Sequence, residues 1–74
     1  MNECNQYVIT FTKPEESAAI MIAMAMHPGI RVLETLGASV ILVEMSPETA
    51  EEIAREYPVI VDKNIGGYEK LDQQ

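Results

Sequence analysis

An α+β domain with the element order β-α-β-β-α-β is predicted by three features of the 74-residue sequence. Residues 7–12 and 40–45 are rich in β-branched and other apolar side chains at strand-like spacing. Thr12-Lys13-Pro14-Glu15 and Ser46-Pro47-Glu48 each set a hydroxyl residue shortly before proline and glutamate, as the first turns of helices do. Gly37-Ala38-Ser39 separates two extended stretches by a hairpin-length connection.

In the first strand Tyr7, Ile9 and Phe11 point one way and Val8, Thr10 and Thr12 the other. Thr12 with Glu15 three residues later fits a capping box, and Pro14 has no amide hydrogen to leave unsatisfied, so a helix is expected from about Lys13. It runs through Met26 and stops at His27-Pro28-Gly29, because Pro28 disfavours helical geometry at His27. Residues 30–36 form the second strand, with Ile30, Val32, Glu34 and Leu36 on one side, and Gly37 supplies positive φ where the turn needs it. Residues 40–45, Val-Ile-Leu-Val-Glu-Met, are apolar on both faces for most of their length, which places this strand inside the sheet. Ser46, Pro47 and Glu48 then start a second helix. Its apolar stripe is Ala50, Ile53, Ala54 and Tyr57, and Glu51 and Arg55 stand in favourable i, i+4 orientation. Pro58 closes this helix, and residues 59–62 make a short fourth strand.

Two interleaved right-handed β-α-β units of this kind give the ferredoxin-like arrangement: a four-stranded antiparallel sheet in the order 4-1-3-2, with both helices on one face. Residues 1–64 are expected to form that single domain, and residues 65–74 a flexible C-terminal tail. The opposite sheet face is left bare.

Composition narrows the function. Twelve acidic and five basic side chains give a net charge of −7, which repels phosphate backbones and anionic membrane surfaces, so neither nucleic acid nor membrane is an expected partner. The longest apolar run, residues 18–26, is far short of the ~20 residues that span a bilayer. With one cysteine and one histidine, neither a disulfide framework nor a Cys/His zinc site within one chain is available. A lone reduced thiol at Cys4 and no basic-apolar leader point to the cytoplasm. No catalytic, metal or cofactor constellation is visible, and the chain reads as a non-enzyme. His27, at a helix end, reads as a structural residue whose cation would suit the helix dipole. The carboxylates of the second helix read as a solvated face, and Gly66-Gly67 lacks the lysine and helix of a phosphate loop. Tyr7 and Phe11 lack the basic neighbours of an RNA-stacking platform and read as core. The first helix is apolar around its whole circumference, which fits either a thinly covered small core or a patch for self-association.

The second half carries a more definite pattern: Gly37, an apolar strand ending at Met45, Ser46-Pro47-Glu48, Ile53, Pro58 and the strand end Val61-Asp62. It resembles the propeptides of subtilisin-like serine proteases and the free-standing proteinase inhibitors of the same fold, over about residues 8–64. The interval from Gly37 to Met45 is longer, and the strand after Pro58 shorter, than is usual in those domains. The resemblance implies a protease partner, a bare sheet face docked on surface helices of the enzyme, and a C-terminal extension entering the cleft like a product. Glu34, Glu44 and Asp62, read as an acidic edge of the sheet, would then meet helix N-termini, where unpaired amides attract anions. Asn64, Ile65, Gly66, Gly67 and Tyr68 would be the cleft-entering segment. The alternative for this segment is an ordinary disordered terminus. The rival function is a homodimeric regulatory or small-ligand-sensing domain of the same fold.

Overall fold

The computed structural model describes residues 4–64. Strand β1 (Asn5–Phe11) leads through a 3-10 turn (Pro14–Glu16) into helix α1 (Ser17–Met26). Strands β2 (Ile30–Thr35) and β3 (Val40–Met45) form a hairpin; helix α2 (Pro47–Glu56) and strand β4 (Val59–Lys63) follow. The four strands make one antiparallel sheet in the order β2-β3-β1-β4, which is the expected 4-1-3-2 counted from the other edge. The described residues thus form a small α+β domain.

The alternation of β1 and β3 explains why these strands are central. Tyr7, Ile9 and Phe11 share one sheet face with Ile41, Val43 and Met45, and they pack in one cluster with Ile20 and Met24 of α1 and with Ala50 and Ile53 of α2. Both helices therefore cover the same side of the sheet. Ile9, Ile41, Val43 and Met45 are fully buried, each contributing about 1.5–3 kcal/mol of apolar transfer energy. Met21, Tyr57, Val59 and Val61 close the margins of this core. Ala54, expected on the buried stripe of α2, is exposed.

Helix α2 starts as its sequence predicts. The Ser46 hydroxyl accepts a hydrogen bond from the Thr49 amide at 3.2 Å, donates to Thr49 Oγ1 at 3.0 Å, and is followed by Pro47 at the first position. Replacing this cap, Ser46→Ala, is expected to lower stability by about 1 kcal/mol, read as a lower urea midpoint, with Ser46→Asp retaining most of it.

Helix α1 starts differently. The Thr12 hydroxyl donates to the Pro58 carbonyl at 2.7 Å, and the Thr12 amide donates to the same oxygen at 3.0 Å. Phe11 pairs with Val59, so Pro58 stands opposite Thr12, and the Thr12 side chain is bonded across to the start of β4 while the helix entry carries no side-chain cap. The first turn closes as a 3-10 turn, Glu16 amide to Lys13 carbonyl at 2.8 Å, and the α-helix begins at Ser17 rather than near Lys13. At its other end the His27 amide donates to the Met24 carbonyl at 3.2 Å. The imidazole Nδ1 accepts the Gly29 amide at 2.9 Å, so the ring closes this turn as a hydrogen-bond acceptor. In the β2–β3 hairpin the Leu36 and Gly37 amides both donate to the Val40 carbonyl, at 2.9 and 3.2 Å. Gly37 does not use a left-handed φ there, and a Cβ at this position meets nothing within 4 Å.

Candidate functional site

The strand register places three rows of side chains on the sheet face that carries neither helix. The central row runs Glu34 (β2), Leu42 (β3), Val8 (β1), Asp62 (β4). On one side of it lie Arg31, Glu44 and Gln6, with Asn64 beyond them; on the other lie Val40, Thr10 and Ile60. Strands repeat every 4.7–4.9 Å, so Glu34 and Asp62 stand on opposite edges, about 14 Å apart at the backbone.

All three carboxylates expected at a partner surface are on this face, but they do not form one edge. Glu44 belongs to an interior strand, and Glu34 and Asp62 belong to opposite edges. Glu34 also reaches the face by a route that alternation does not predict. Simple alternation puts it with Ile30 and Val32, on the core side. The β2–β3 register shifts between Val32 and Glu34, a bulge that leaves Leu33 over and sets Glu34 opposite Leu42. The same bulge, together with the charges of Arg31 and Glu34, blunts the β2 edge against strand addition.

Charges on the face are held loosely. Arg31 Nη1 lies 3.8 Å from Glu44 Oε1, with the two side chains 78% and 34% exposed, an ion pair worth about 0–1 kcal/mol. It is the one ion pair within 4.0 Å among the described residues; Glu51 and Arg55 do not make theirs. Asn64 extends the β1–β4 ladder past Lys63: its amide donates to the Gln6 carbonyl at 2.9 Å and its side-chain amide to Gln6 Oε1 at 3.1 Å. Asn64 thus continues the sheet's hydrogen bonding in the free chain. The remaining residues of the expected cleft-entering segment, Ile65, Gly66, Gly67 and Tyr68, lie outside the described residues.

Two further features are visible only in three dimensions. A cleft of about 390 Å³ opens where β1 starts, with Cys4, Gly29, Arg31, Glu44, Ser46 and Thr49 in its wall. Its Ser46 and Thr49 hydroxyls are occupied in the α2 cap, and Cys4 is a free, exposed thiol. On α1, Ile22 and Met26 are 61% and 77% exposed, four residues apart, while Met24 is buried and Met21 half-buried. Among the described residues no three His, Cys, Asp or Glu side chains gather into a metal-binding group, and no buried side-chain polar atom lacks a partner. No helix among them is long and apolar enough to cross a membrane.

The fold and face define a small α+β domain presenting a helix-free four-stranded surface with acidic flanks. No family model, curated protein or solved structure matches the chain.

Proposed function

We propose that this chain is a ferredoxin-like, non-enzymatic protein-binding module that docks on a subtilisin-like serine protease through its helix-free sheet face and the segment after β4. The observation that carries the reading is the placement of Glu34, Glu44 and Asp62 on that one face, the outer two flanking the row that contains the buried Leu42 and Val8. Carboxylates so placed suit the unpaired amides at helix N-termini of a partner. An extended segment leaving β4 adds to an enzyme cleft as a strand, main-chain pairing supplying affinity and side chains supplying selectivity. The inhibitor binds without covalent chemistry. The single free thiol suits a reducing, cytoplasmic setting.

The test is a set of progress curves for a subtilisin-like protease with the full chain at micromolar concentration. Slow-onset, tight inhibition is expected, and deletion of residues 65–74 should abolish it. Untouched activity across a panel of such proteases would falsify the proposal.

Exposed Ile22 and Met26 favour a second reading, a symmetric dimer through α1 in a regulatory or ligand-sensing role. Sedimentation separates the two. A dimer that Ile22→Lys with Met26→Lys converts to monomer supports the second reading, and a monomer at every concentration removes it.

A further inference from the structure

We infer that two copies of this chain pair through their β2 edges, antiparallel and in one register, with Arg31 of each opposite Glu34 of the other. Strand β2 is an edge of the sheet, and every residue from Arg31 to Thr35 is exposed. Val32 and Leu33, 38% and 37% exposed, are consecutive large apolar residues on that edge. An edge strand carries main-chain donors and acceptors along its outer side, so it templates another strand unless something spoils the fit.

The bulge and the two charges spoil the fit for a regular strand and not for a second β2. Arg31 opposes Glu44 and Glu34 opposes Leu42, so both charged residues stand on the helix-free face with two residues between them, where a regular strand has one. A regular neighbour falls out of step across the bulge. A second β2, turned end for end about an axis normal to the sheet between Val32 and Leu33, carries the same extra residue at the same place, so the steps match. In that register each Arg31 faces a Glu34 on the same side of the sheet, and each Val32 faces the other copy's Leu33. Directly opposed residues of antiparallel strands stand about 4.5–5.5 Å apart, close enough for both the ion pairs and the apolar contacts. Arg31 is free to turn that way, since its hold on Glu44 is a 3.8 Å contact with the arginine side chain 78% exposed. The same features that repel other strands thus select this one.

The other edge offers no such match. On β4, Asp62 opposes Val8 on the helix-free face, whereas Lys63 opposes Tyr7 on the helix side, so no such pairing of β4 with itself sets Asp62 against a lysine. The β2 pairing stands without the protease reading; where both hold, they compete for Glu34. It also differs from a dimer through α1, because Ile22 and Met26 take no part.

Sedimentation equilibrium of the full chain from micromolar to millimolar concentration tests the pairing without any protease. A monomer–dimer equilibrium is expected, and Glu34→Arg or Arg31→Glu alone should weaken it about tenfold, because each turns two opposite-charge pairs into two like-charge pairs. The two reversals move the net charge of −7 in opposite directions, so a loss from both reports the pairs and not the total charge. Mixing the two single variants, or combining them as Arg31→Glu with Glu34→Arg, should recover the dimer, and Ile22→Lys with Met26→Lys should leave it unchanged. A monomer throughout, a dimer indifferent to the single reversals, no recovery in the combined variant, or a dimer lost on the α1 substitutions overturns the inference.

Discussion

Ile9→Ala is expected to remove about 2–5 kcal/mol of folding stability. Ile9 is fully buried on a central strand, opposite Ile41 on one side and Val61 on the other. Deleting its three terminal carbons loses their transfer energy and leaves a cavity that two paired strands are poorly able to close. A chain of 74 residues has a total stability of only about 4–11 kcal/mol, so the substitution consumes a large share of it. Urea unfolding followed by circular dichroism gives the comparison, with Ile60→Ala as the control at a 51% exposed position, expected to change stability by at most about 0.5 kcal/mol. Should Ile9→Ala fail to fold, Ile9→Val keeps the test quantitative at about 0.5–1.5 kcal/mol. Equal small losses at positions 9 and 60 would mean that the helix-side core is misassigned.

Reversing the flanking charges, Glu34→Lys with Asp62→Lys, is expected to weaken protease inhibition by about 10–100-fold while leaving the domain folded. Both carboxylates are exposed, and neither makes an ion pair or side-chain hydrogen bond among the described residues. Substitutions at such sites usually change stability by at most about 0.5 kcal/mol. Binding responds differently. A carboxylate at a helix N-terminus is worth about 0.3–1 kcal/mol, up to about 2 when partly buried, and a lysine there is repelled by a similar amount. Two reversals therefore shift the inhibition constant by one to two orders of magnitude, and the loss should shrink as salt is raised. An inhibition constant unmoved by the double reversal would detach the acidic flanks from binding.

Local pattern carried most of the architecture. Apolar residues on both faces of Val40–Met45 predicted an interior strand, and the alternation of Tyr7, Ile9 and Phe11 predicted the core side of its neighbour; both expectations match the sheet. In β4 the alternation sends Val59 and Val61 inward and Ile60 and Asp62 outward. Glu34 does not follow alternation. Its position depends on a bulge between Val32 and Glu34, and nothing in Val-Leu-Glu-Thr, which lacks glycine, marks where pairing slips by one residue. The start of α1 differs from the local pattern because the Thr12 side chain is bonded to Pro58, 46 residues away in sequence, and no side-chain cap forms at the 3-10 turn. Burial of Leu42 was equally hidden: an apolar residue on the outer side of a strand reads as bare until the third dimension shows it shielded.

The most direct measurement is backbone NMR of the labelled chain mixed with a subtilisin-like protease whose nucleophile has been replaced by alanine. Docking through the helix-free side predicts shifts and exchange protection at Gln6, Val8, Glu34, Leu42, Glu44 and Asp62, with α1 and α2 unchanged. Protection confined to the outer surfaces of the two helices, or a spectrum that the enzyme leaves untouched, would contradict it.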